Sequence, residues 1–476
     1  MHNMSRRTLL KAMGITAASA AIMPISGCFS ENKVMPAISN WDKEESAIRS
    51  RIKSPTFPNN RISIKELGAK EGALNNNTEV FKTAIKTLSQ QGGGKLVVPK
   101  GHFYTGPIHL KSNINLHIES GGVLHFISEP ELYKPYVFTR WEGMELMGYS
   151  PLIYAFEESN IAITGKGIIE GGGSNDNWWP WKGKWKKTDW PISEVANQKH
   201  TRNTLMQMVE EGVPVSERVF DDNYLRPPLI QPYRCSNVLI EGVEIKNSPF
   251  WLINPVLCKN VTVKDVHCES YGPNSDGCNP ESCTDVLIED CIFDTGDDCI
   301  AIKSGRNADG RRVAVPCSNI VIANCQMKDG HGGVVIGSEI SGGVNNLYAR
   351  DCTMSSPDLE RGIRIKTNSV RGGHLYNLNY RDIDIGQVKN AVVINFYYEE
   401  GDAGDFPPKL ENINITSLHV EKAERAFVLR GFDHTPITGV NLKNITIDSA
   451  KNESIIDNID GFKQTAVMVN GKAVRI

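Results

Sequence analysis

The sequence predicts an all-β protein, a right-handed parallel β-helix with one capping helix at its N-terminal end. Three observations predict it. A short motif, Asn or Asp followed by alternating Val/Ile and a small apolar residue, recurs at variable spacing. A second short strand follows most copies, and helical periodicity is almost absent.

The motif begins at Asn237, Asn260, Asp285, Asn319, Asn346, Asn377 and Asn412, with looser copies from Asn113 and Asn160. Successive starts from 237 lie 23, 25, 34, 27, 31 and 35 residues apart, so coils of one size carry loops of different length. A Leu-rich horseshoe would need regular repeats of about 20–29 residues, and the sequence has none. Cys291, Cys325 and Cys352 take the motif position filled elsewhere by Val243, Val266, Ile383 and Leu418, which predicts an interior column. The repeated Asn suits a turn, because its amide tolerates left-handed backbone geometry and can bond its counterparts above and below.

The capping helix is expected over 79–90, with Val80, Ala84, Ile85 and Leu88 on one face and Gly92-Gly93-Gly94 as its stop. The second strands, aligned on their first residues, begin at Asp276, Asp298, His331, Gly362, Ala391 and Ala426. Alternate residues in them are apolar and face the core, so the polar ones form a patch on one side of the rod.

The N-terminus reads as an export signal. Ser5-Arg6-Arg7-Thr8-Leu9-Leu10-Lys11 precedes an apolar stretch over 12–25 that is shorter than the ~20 residues of a membrane span. Paired arginines resemble a twin-arginine signal, and Ile25-Ser26-Gly27-Cys28 resembles a lipoprotein processing box that would make Cys28 the lipidated first residue. Ordinary cleavage near Ala18-Ser19-Ala20 is the alternative. The expected organisation is a signal over 1–28, a tether over 29–60 and a catalytic coil over 61–476 with an insert near 174–220. The expected location is periplasmic or cell-surface, with a membrane reached only through that lipid.

Removing residues 1–28 takes away Arg6, Arg7 and Lys11 and no acid, so the net charge moves from −3 to −6. Such a chain is no general binder of polyanions, which excludes nucleic acid as a partner; an acidic substrate must find its cations in one cleft. Ten cysteines run from Cys235 to Cys352 without a CxxC pair, which argues against structural zinc and for buried reduced thiols. No metal or other cofactor is expected.

Asp276 and Asp298 are 22 residues apart, about one coil, and Asp297 adjoins Asp298. Stacking should bring them to adjacent strands roughly 4.8 Å apart. Crowded carboxylates cannot all ionise freely, and a carboxyl kept protonated beside an ionised one is what glycoside hydrolysis needs. His331, between Gly330 and Gly332, should lie on the next coil. Arg364 and Lys366, two apart in one strand, project from the same face one coil further, where Arg can grip a sugar carboxylate bidentately. Lys303 points the same way.

Asn274-Ser275-Asp276, Gly296-Asp297-Asp298, Gly330-His331-Gly332 and Arg364-Ile365-Lys366 resemble, in order, the four signature motifs of glycoside hydrolase family 28, the polygalacturonase family. Ser275 departs from the Thr of many members. The resemblance covers roughly residues 60–450 and suggests a bacterial exo-polygalacturonase. It implies inverting hydrolysis of α-1,4-galacturonosyl bonds on acidic polysaccharide or oligogalacturonide. Asp297 would then be the general acid, Asp276 and Asp298 would hold and deprotonate the attacking water, and His331 would tune the acid. Arg364 and Lys366 would bind the leaving-group carboxylate, and Asn274 and Tyr398 would contact substrate. Inversion predicts an acid-to-base separation of roughly 6.5–9.5 Å.

The insert sets Trp178, Trp179, Trp181, Trp185 and Trp190 among Lys182, Lys184, Lys186 and Lys187. Either the tryptophans are buried anchors beside a solvated lysine run, or the segment walls the cleft and makes the enzyme act on chain ends. Other classes remain: a rhamnogalacturonan-type hydrolase, a calcium-dependent pectate lyase, and a binding-only β-helix such as an adhesin.

Overall fold

The computed structural model describes residues 40–474 except 186–189, 194 and 222. The export signal, Cys28 and the first part of the tether lie outside the described residues, as do Lys186 and Lys187. The body is a right-handed parallel β-helix whose coils pair into a 26-stranded sheet.

The motif strands form one column. Val238, Val261, Val286, Ile320, Leu347, Leu378, Ile413 and Val440 are successive register partners. All are buried, because a β-helix turns one face of every strand into a shared interior. The motif Asn residues hold left-handed φ of 54–63° where they open these strands, as at Asn160 and Asn113. Their amides donate up the stack: Asn160 to Asn113 at 3.0 Å, Asn237 to Asn160 at 2.8 Å, Asn346 to Asn319 at 3.0 Å and Asn377 to Asn346 at 2.8 Å.

The cysteine column is also present: Cys352 pairs with Ile383, and Ile383 with Leu418. All ten cysteines from Cys235 to Cys352 are free and buried. Burial pushes several thiols up, Cys268 and Cys278 among them, which keeps them protonated.

A helix over Thr78–Gln90 buries Phe81, Ala84, Ile85 and Leu88 against the first coils. Val80, expected on that face, is only partly buried; Phe81 takes the place. The tether expectation fails from residue 40. Asn40–Arg51 is a helix, α1, docked along the rod with Ile48 packed among Leu287, Val321 and Tyr348. Arg49–Glu289 and Arg51–Asp285 contacts, both 2.8 Å, pin it. Its weak amphipathic pattern hid it, since charge pairing to the coil supplies much of its docking. A second unexpected helix, α2, covers Lys199–Glu210 in the insert.

The third column carries the functional face. Cys278, Ile300, Val334, Ile363 and Val392 are partners from coil to coil. This register sets Gly332, not His331, level with Asp298, one residue away from the alignment expected on first residues. His331 is therefore level with Asp297. Glycine permits the tight passage: a Cβ on Gly330, at φ 152°, would meet the Asp297 carbonyl at 2.6 Å.

Candidate active site

Coil stacking brings Asp276, Asp297 and Asp298 together, one oxygen from each lying within 4.8 Å of the others. The peptide N–H of Gly277 donates to the Asp298 carbonyl at 3.0 Å, which fixes the two coils in step. The expected wider acid-to-base separation is not present between these oxygens. Two of the acids are chain neighbours and the third is one strand spacing away, so the sheet itself caps the distance.

Each carboxylate meets different partners. Asp276 accepts from Asn279 Nδ2 at 3.1 Å and lies 3.5 Å from Lys303 Nζ. Burial and the neighbouring Asp297 push its pKa well above the usual range. Asp297 Oδ1 takes the peptide N–H of Asp298 and lies 2.9 Å from His331 Nδ1. Burial opposes its ionisation, but His331, Lys366 and Lys303 outweigh burial and hold Asp297 low. His331 is raised in turn, chiefly by Asp297. Asp298 is fully buried beneath Arg364 Nη1 at 3.2 Å and Lys366 Nζ at 2.7 Å. Those cations overcome its burial and keep it ionised.

Tyr398 lies beside both cations, its ring centre 5.7 Å from the Arg364 guanidinium and 5.4 Å from the Lys366 ammonium. Lys303 bonds Glu339 Oε2 at 3.0 Å and stands 4.5 Å over the Trp251 ring. The Asn274 side chain accepts from Arg226 Nη2 at 2.8 Å. Asn274, Asp276, Asp297, Lys303, His331, Arg364, Lys366 and Tyr398 all line one cavity of about 360 Å³. Asp298 does not line it and acts from below. Three carboxylates can ligate a metal; here each already has a basic partner, Lys303 beside Asp276, His331 on Asp297, and Arg364 and Lys366 on Asp298.

Residues 216–468, over half of the chain, match the family model described as Glycosyl hydrolases family 28. The chain belongs to that family. Among solved family 28 relatives is a hyperthermoactive exopolygalacturonase from Thermotoga maritima, 42% identical with a TM-score of 0.87, covering 91% of this chain and 97% of that one. The exo-poly-alpha-D-galacturonosidase of Dickeya chrysanthemi is 25% identical over 418 residues, 82% of this chain and 65% of that enzyme, just under two thirds of its length. The endo-polygalacturonase of Pectobacterium carotovorum is 25% identical over 384 residues, 77% of this chain and 84% of that enzyme.

Several residues in or behind this cavity carry no signal in the sequence. Glu142 tips the hairpin Val137–Trp141/Met144–Gly148 and lines the cavity. Its carboxylate takes Arg202 Nε from α2 at 2.7 Å and Arg306 Nη1 at 3.2 Å. Arg226, behind Asn274, is wholly buried, and burial pushes it down to about 9. No periodic pattern marks these positions. The insert combines both expectations: Trp178 is a buried anchor and Trp179 bonds the Ser248 carbonyl at 2.9 Å, whereas Lys182, Trp185 and Arg202 wall the cavity.

Proposed function

We propose that this family 28 enzyme hydrolyses the α-1,4 bonds between galacturonate rings of pectin from chain ends, with inversion at the anomeric carbon, which the family resemblance supports and the short carboxylate separation does not. The observation that carries the reading is the sharing of one cavity by an acid cluster and the Arg364/Lys366 pair. A binding surface has no use for a carboxyl held protonated beside two held ionised, and a neutral-sugar hydrolase has none for the cation pair.

In this reading the proton retained by Asp276 in the free site moves the short distance to Asp297. That single transfer makes Asp297 an acid and Asp276 a base. Asp297 then protonates the glycosidic oxygen as the C1–O bond breaks. Water positioned by Asp276, with Asp298 ionised beneath it, attacks C1 from the opposite face and gives its proton to Asp276. His331 bonds Asp297 and sets how readily it takes and yields a proton. Arg364 and Lys366 hold the leaving-group carboxylate, flanked by Tyr398, while Asn274 bonds the substrate from the other wall. Exo action is supported by the similarity to the exopolygalacturonase of Thermotoga maritima and by the insert and hairpin residues Glu142, Trp185 and Arg202 that wall the cavity.

Product profiling on polygalacturonate tests this. The reading requires galacturonate monomer from the first turnovers, released as the inverted β-anomer by proton NMR, and no release from carboxyl-reduced polymer. A ladder of oligomers would overturn exo action, and unsaturated sugars would overturn hydrolysis altogether. We also propose export with lipid attachment at Cys28; Cys28→Ala should move the protein from membrane to soluble fractions, and unchanged membrane association would count against the anchor.

A further inference from the structure

Resting on the hydrolase reading above, we infer that Lys182 is a second carboxylate-docking group. It takes the acid of the ring on the glycone side of the scissile bond, while Arg364 and Lys366 take that of the leaving-group ring. Lys182 lines the cavity, yet its ammonium makes no hydrogen bond or ion pair with the described residues. The other lining cations that close the pocket are engaged: Lys303 with Glu339, Arg202 and Arg306 with Glu142, Arg364 and Lys366 with Asp298. Burial and the like charges of Arg226 and Arg202 press the Lys182 ammonium towards its neutral form, against the attraction of Glu142 and Asp297. An anion arriving there relieves that frustration.

Lys182 is also rigidly presented. It ends the short turn Trp179–Lys182, where Trp181 packs against Trp178 with ring centres at 4.9 Å and against Tyr224 at 5.2 Å. The Trp181 carbonyl accepts the Gln198 peptide N–H at 2.7 Å. The two cationic poles have separate surroundings. Arg364 and Lys366 are drawn down onto Asp298, whereas Lys182 is presented from the insert. One cavity thus holds the acid cluster together with two cationic groups, the Arg364/Lys366 pair and Lys182. A galacturonate dimer spanning the cluster has one carboxylate for each.

The test crosses enzyme variants with digalacturonate and its two mono-methyl esters, esterified on the glycone or on the leaving-group ring. Lys182→Gln should lower kcat/KM on digalacturonate roughly 10- to 100-fold. It should leave the glycone ester, already slow with wild type, nearly unchanged, and Lys182→Arg should restore the discrimination. Thermal unfolding of the variants at the wild-type temperature secures the fold of the insert. An equal penalty on all three substrates overturns the inference, as does selective loss of sensitivity to the leaving-group ester. Wild type that fails to cleave digalacturonate overturns the hydrolase reading itself.

Discussion

Lys366→Met removes an ammonium and keeps most of the stem that packs around it. Asp298, with no exposed surface, is left with Arg364 at 3.2 Å after losing its 2.7 Å partner. Stripping a buried charge of all partners costs about 3–5 kcal/mol, and one charge-assisted hydrogen bond is worth about 1.5–3 kcal/mol. With one of two cations retained, about 2–3 kcal/mol is expected. A chain of 476 residues unfolds with an entropy of about 1 kcal/mol/K, so Tm should fall only about 2–3 °C at pH 7. The pH dependence is the sharper signature. The depressed Asp298 contributes stability that is present above the unfolded carboxyl value of about 3.9 and lost as pH falls through the folded value. The gap between wild type and variant should therefore be full at neutral pH and shrink as pH drops below about 4. Calorimetry at pH 3, 5 and 7 reads it. A gap that is constant across these pH values, or absent at pH 7, refutes the electrostatic account of Lys366. Activity should fall further than stability, since the leaving-group carboxylate loses the same cation.

His331 sits on the opposite sign: its raised pKa contributes stability below about 6.5 that disappears as pH rises through the folded value, so His331→Gln should flatten thermal stability between pH 6 and 9. Asn346→Ala breaks the amide ladder at a φ of 55° and should cost about 1–3 kcal/mol by denaturant unfolding, with Asn346→Gly recovering only the backbone share. The ten buried cysteines should resist a thiol reagent in the native protein and all react in denaturant; several reacting natively would contradict the interior columns.

The rod was legible because its determinants are local and repeated. Asn237, Asn260 and Asn346 each demand the same turn, and stacking then dictates the rest. The acid cluster was legible for the same reason, since one coil separates Asp276 from Asp298. The register error at His331 arose because Gly330 and Gly332 carry no side-chain pattern by which to count. Asp298 reads in sequence like its neighbour Asp297, yet only three-dimensional packing buries it under Arg364 and Lys366. Glu142, Lys182 and Arg202 come from the hairpin and insert, which interrupt the repeat; Glu142 is held by Arg202 and Arg306, long-range contacts that no spacing rule marks. α1 was hidden because Trp41 and Ile48 are sparse anchors among charges whose partners, Glu289 and Asp285, lie over 230 residues away.

Turnover in this enzyme depends on Asp297 protonating the departing glycosidic oxygen. Turnover of polygalacturonate by Asp297→Asn, measured as reducing-sugar release with circular dichroism to verify the fold, tests it most directly. The account predicts a loss of about 10²–10⁴-fold or more at unchanged structure. A folded variant that keeps most of the wild-type rate would contradict it.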